Sequence, residues 1–181
     1  MNMNATNQNS RNNDFTLIDL LSEQTRDLYD AENSHHHILL EMDNISLTPE
    51  LTDYLSKIAS DTVENIHNLI QICSDFGVPH TGVTCAAMEG LVRECKGTAR
   101  DWESSAVRDA ALIANEQRIV HYQIAGYGTA KAFAQAAKQR GPAKLFEEML
   151  KRAYENDKTL TKIACGGWIE TGVNELAVAG E

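Results

Sequence analysis

Apolar residues recur every three to four positions through four long stretches of the chain, the spacing of helices that bury one face. The stretches predict helix A over about 14–44, helix B over about 49–76, helix C over about 105–139 and helix D over about 142–165. Three prolines punctuate them. Pro49 follows Thr48, an N-cap and first-turn signature; Gly77-Val78-Pro79 closes helix B; Gly141-Pro142 opens helix D. Residues 77–104 read as a long connection with a short helix near Cys85–Cys95. No alternating Val/Ile/Thr run is long enough for a strand, so the fold class is all-α. The stretch from Gly166-Gly167 is weakly patterned and is expected to loop back over the surface, anchored by Trp168 and Ile169.

The long B-to-C connection sets the topology. Short loops give an up-down-up-down bundle, whereas one crossover makes B and C parallel, the arrangement of a ferritin-like four-helix bundle. Residues 1–13, polar throughout, are expected as a disordered tail, 14–165 as the bundle and 166–181 as a C-terminal tail. A chain of 181 residues, 43% hydrophobic, suits one packed domain.

The formal net charge of -10 argues against nucleic-acid or anionic-membrane surfaces, which need clustered Lys and Arg. With no apolar run near bilayer length and no leader-like start, the reading is a cytoplasmic protein. Cys73, Cys85, Cys95 and Cys165 are widely spaced without a C-x-x-C pair, so reduced, mostly packed thiols are expected.

Helical wheels then show which polar groups face inward. On helix A the seam Leu21, Leu28, His35, Leu39, Met42 contains Glu32, with His36 at the edge and His37 outside. On helix B it is Leu51, Leu55, Ile58, Thr62, Leu69 and Phe76, with Asn65 inside and Asp61 at the margin. Glu64-Asn65-Ile66-His67 has the Glu-x-x-His spacing of di-iron bundles, but Glu64 lies opposite the seam. Helix C reads Ala110, Ile113, Gln117, Val120, Ile124, Tyr127, with His121 beside it and Glu116 marginal. Helix D offers Phe146, Met149, Ala153, Asp157 and Leu160. Ala125, Gly128, Thr129 and Ala132 form a small-residue strip on helix C, expected as internal packing.

Four ordered motifs, RDLYDAEN, CAAMEGL, VRDAALIA and HYQIAGYGT, resemble the YciE/YciF-type stress-protein family over most of residues 15–165. The resemblance implies a ferritin-like bundle, homodimerisation, a role in bacterial stress and an inner carboxylate site for two metal ions, usually iron. Glu32 matches the family's helix A glutamate. Asp61 stands in a Glu-Glu-Thr position, and Val120-His121-Tyr122-Gln123 replaces Glu-His-Tyr-Glu. Lys151-Arg152-Ala153 replaces a glutamate-rich run, leaving Asp157 nearby, and Glu89 is expected to cap or bridge the short helix.

Two divalent ions a few ångströms apart need bridging carboxylates, so these losses remove charge and coordination together. Two readings follow. In the first, the bundle is non-catalytic and its interior is a hydrogen-bonded polar core, with Glu32 pairing to His121 and His35 to Asp157. In the second, Glu32, Asp61, His121 and Asp157 hold iron or manganese and support peroxide consumption or iron oxidation.

Overall fold

The computed structural model describes residues 15–167 and 170–179. The expected tail at 1–13 and the anchors Trp168 and Ile169 lie outside the described residues. Among the described residues six helices follow in order: α1 (Leu17–Asp43), α2 (Pro49–Asp75), α3 (Ala86–Asp101), α4 (Ala106–Ala136), α5 (Arg140–Cys165) and α6 (Val173–Ala179). No strand occurs among the described residues, and α1, α2, α4 and α5 form the ferritin-like bundle.

The helix ends follow from local chemistry. Thr16 and Asp19 close a reciprocal capping box on α1, satisfying two backbone donors that the first turn leaves free. At α2, Pro49 sits in the first turn as expected, but the Thr48 hydroxyl does not cap its own helix. It donates to Asp109 of α4 at 2.7 Å, and that carboxylate also accepts from the backbone N–H groups of Leu47 and Thr48. Asp109 is thereby wholly buried yet fully partnered, and it ties the start of α2 to the start of α4.

Cross-helix contacts fix directions. Asp43 meets Ser56 while Glu32 meets Asn65, so α1 and α2 are antiparallel. His35 meets Glu116 while Glu32 meets Gln123, which makes α4 antiparallel to α1 and parallel to α2. Gln117 reaches Thr161 and Lys131 reaches Glu147, setting α5 against α4. The crossover helix α3 packs on α1 and α4. Asp30 of α1 holds its N-terminus, accepting from the Cys85 N–H at 2.8 Å. Glu89, expected in that role, is exposed. The C-terminal stretch returns over α4 and α5 as the short helix α6, which buries Val173.

The small-residue strip is not internal. Ala125, Thr129 and Ala132 are exposed and Gly128 is half-buried. The glycine that permits close helix approach is Gly126, where an added Cβ would stand 2.6 Å from Leu28 Cδ2.

Candidate functional site: a buried polar layer

Glu32, His35 and Glu116 are each 0% exposed, and Gln123 and Asn65 are 3% and 6% exposed. Burying two carboxylates is costly unless each is paired and hydrogen-bonded. Glu32 accepts from the Gln123 amide of α4 and from Asn65 Nδ2 of α2 at 3.2 Å. The Tyr127 hydroxyl lies beside it, accepting from Asn65 Nδ2 at 3.4 Å; burial first, then the charge of Glu32, push the phenol well above its usual range. His35 Nε2 lies 2.9 and 3.1 Å from the two oxygens of Glu116, and its Nδ1 lies 3.0 Å from Gln123 Nε2. A continuous path of partners therefore runs Asn65, Glu32, Gln123, His35, Glu116.

Burial alone would depress the basicity of His35. The charge of Glu116, its hydrogen bond and the charge of Glu32 outweigh it, so the imidazole is raised above the ordinary histidine value. The carboxylates favour a charged ring, whereas the Gln123 amide nitrogen facing Nδ1 suits a neutral one. The same nitrogen donates to Glu32, so turning the amide over would set its oxygen against that carboxylate.

The residues expected from the helical wheels fall into three groups. Glu32, His35, Thr62, Asn65, Val120 and Ala153 are buried as read. Gln117, His121 and Asp157 form a separate outer cluster, in which Asp157 Oδ1 accepts from Gln117 at 3.3 Å and lies 3.2 Å from His121 Nε2. The His121 side chain is 65% exposed. Asp61 is paired with Lys57 one turn away at 2.7 Å. Thus the pairs Glu32–His121 and His35–Asp157 do not form, and Glu32, Asp61, His121 and Asp157 are not brought together.

The wheel turned α4 the wrong way because its apolar residues are spread almost evenly around the helix. The true inward ladder is Asp109, Glu116, Gln123 and Ala130, spaced seven apart and all buried. That heptad of polar residues was the available signal. So was Glu32-Asn33-Ser34-His35, a Glu-x-x-His that does face inward.

Ligand chemistry can be tested against this donor set. Among the described residues, no three or more His, Cys, Asp and Glu side chains are grouped so as to hold a metal ion. Between Glu32 and His35 stands an amide whose nitrogen faces both, and His35 Nε2 is already engaged by Glu116. Val120 and Ala153, 0% and 2% exposed, bring no donor to the interior. The donors present suit proton sharing better than cation coordination.

Two charged groups border the layer. Arg152 of α5 pairs through Nη1 with exposed Glu64 at 2.6 Å, while its Nε and Nη2 are buried without a hydrogen-bond partner. Asn65 Oδ1 is also buried and unpartnered. Elsewhere, Tyr122 donates to Asp27 at 2.6 Å and lies 3.0 Å from Cys85 Sγ. Two open grooves on α5, of about 640 and 500 Å³, are lined by residues such as Tyr54, Lys57, Tyr154 and Lys158, and by none of the polar layer. No described helix is long and apolar enough to cross a membrane.

Comparison with known proteins agrees with this architecture. A family model described as "Domain of unknown function (DUF892)" matches residues 16–173. Protein YciF of Escherichia coli (strain K12) is 31% identical over 150 residues, covering 82% of this chain and 90% of that protein. The crystal structure of the E. coli stress protein YciF superposes with a TM-score of 0.78 at 30% identity, over 81% of this chain and 93% of that one. A second solved structure, "YcfI, a putative structural protein from Rhodopseudomonas palustris", gives 0.79 at 31% identity, over 86% and 98%.

Proposed function

The chain belongs to the DUF892 family, and from that membership and the geometry of its interior we propose a non-catalytic, stress-associated bundle that works by assembly or interaction. Its polar layer takes the place of a dinuclear metal site, and the chain forms a homodimer in the cytoplasm. The observation that carries this reading is the pairing of His35 with Glu116 at 2.9 Å, both fully buried, in an interior that also holds Val120 and Ala153. A proton between imidazole and carboxylate does there what a cation would otherwise do. The descriptions of two relatives, a stress protein and a putative structural protein, support the stress and non-enzymatic parts of the reading.

The test is metal dependence of the fold. Exhaustive treatment with a strong chelator should leave the thermal midpoint and helical content of the wild type unchanged. A marked loss of stability, reversed by iron or manganese, contradicts the reading. Light scattering on the eluting protein checks the dimer; a monomer at micromolar concentration refutes that part.

The alternative is an iron- or manganese-binding protein that consumes peroxide. It draws on Glu32 and His35, which both meet the Gln123 amide, and on Glu116 beyond His35, all fully buried. Peroxide consumption that scales with bound metal and disappears in Glu32→Ala favours it; metal-independent inactivity rules it out.

A further inference from the structure

The polar layer holds two carboxylates of zero exposure, Glu32 and Glu116, against one imidazole. Even with His35 charged, one negative charge is left over. An uncompensated buried carboxylate is strongly destabilising or is neutralised by a proton. A metal would have cancelled it.

The candidate cations can be sorted by their partners. Arg26 donates to the Thr81 carbonyl and to Glu23, at the α1–crossover junction. Arg108 donates to the Ile45 carbonyl and Ser104 near the start of α4. Arg152 differs: its side chain is 18% exposed, and only Nη1 reaches the surface carboxylate of Glu64. Its Nε and Nη2 are both shut away from solvent without a partner, whereas Arg26 and Arg108 each leave only Nε so placed. Each such donor is destabilising in a buried setting unless something compensates. The compensation is the field of the layer. Glu64, which holds Arg152 Nη1, directly precedes Asn65 on α2, and the positive charge of Arg152 opposes the upward shift of the Tyr127 phenol. Asn65, whose Nδ2 faces both Glu32 and Tyr127, completes the neighbourhood from α2.

We propose that Arg152 is the resident counter-ion of the polar layer, supplying from α5 the positive charge that a metal centre would otherwise bring. The proposal rests on the metal-free reading above and names the group that makes it electrostatically feasible. With Arg152 in place, two acids face two bases, and the interior closes without an external cation. Its outer nitrogen, held by Glu64, keeps the guanidinium at the rim, and no hydrogen bond or ion pair joins it to Glu32 among the described residues.

A double-mutant cycle between Arg152 and Glu32 tests this, because the two share no hydrogen bond and a packing role alone would be additive. R152M, R152K, E32Q, E64Q and R152M/E32Q are unfolded in urea, and the metal content of each is measured. R152M should lower the folding constant at least tenfold, and R152K should recover most of that loss. In R152M/E32Q the two effects should fall short of their product by at least tenfold, since the neutral amide that E32Q introduces no longer needs a counter-ion. Effects that multiply within about twofold overturn the proposal. So does E64Q reproducing the R152M loss, which would place the effect in the surface pair. If R152M does not fold, restoration of folding by E32Q supports the proposal and its failure overturns it. Metal found in the wild type would defeat the metal-free reading instead, so the two failures are distinguishable.

Discussion

Removing one partner of the His35–Glu116 pair should be far worse than removing both. In His35→Ala the Glu116 carboxylate, fully buried and bonded through 2.9 and 3.1 Å contacts, loses its only charged partner. Breaking a buried pair from one side costs about 3–5 kcal/mol, because the remaining charge is left uncompensated. That is a large part of the roughly 5–15 kcal/mol by which such domains are stable. For a chain of this size each kcal/mol moves the thermal midpoint by about 2–4 °C, so a fall on the order of 10 °C is expected. Replacing both with apolar groups of similar volume, His35→Leu with Glu116→Met, removes the charge and the need for it together. Such replacements are often neutral or stabilising. The Gln123 amide loses one partner, a cost of about 1 kcal/mol, so the double variant should lie within about 2 kcal/mol of wild type. Urea unfolding followed by far-UV circular dichroism measures all three, with an unchanged slope confirming comparable folded and unfolded states. Single variants that each lose under about 1 kcal/mol, or a double variant whose loss equals their sum, refute the reasoning.

Other outcomes follow from the same structure. The raised basicity of His35 means its contribution to stability is complete below the unfolded value of about 6.5 and is lost as pH rises through the higher folded value. Wild type should therefore lose stability relative to H35L/E116M as melts move from pH 6 to pH 9; a relative gain over that window contradicts it. Cys165 is exposed while Cys73, Cys85 and Cys95 are buried, and burial pushes the Cys95 thiol up to about 12. One thiol per folded chain should react promptly with a colorimetric disulfide reagent, and the other three only after unfolding; fast labelling of all four argues against this core. Gly128→Ala should stabilise α4 by up to about 1 kcal/mol, since nothing lies within 4 Å of the new Cβ. Gly126→Ala should not stabilise, because its Cβ would meet buried Leu28, and equal effects at the two glycines refute that packing.

Helix boundaries and the crossover were readable because Pro49, the Gly77–Pro79 stop and the Gly141-Pro142 start are local signals. The inward direction of α1, α2 and α5 was readable for a similar reason: each carries a one-sided apolar stripe, which places Glu32, His35, Asn65 and Ala153 correctly. On α4 that logic fails. Its apolar residues surround the helix, so Ile119 and Leu112 on the buried side are balanced by Ile124 and the alanines opposite. A rotation of roughly 130° separates the direction of Gln117 and His121 from that of Glu116 and Gln123, enough to exchange rim for core at 100° per residue. The roles of Thr48 and Asp109 were hidden for another reason. Their bond joins two helices about 60 positions apart in the chain, and no local pattern encodes it.

Elemental analysis of the wild-type protein, purified from cells grown with added iron and manganese, tests the central claim most directly. An interior closed by His35, Glu116 and neutral donors should carry well under one equivalent of metal per chain. Two tightly held ions per chain would show that the buried acids serve cations and not one another.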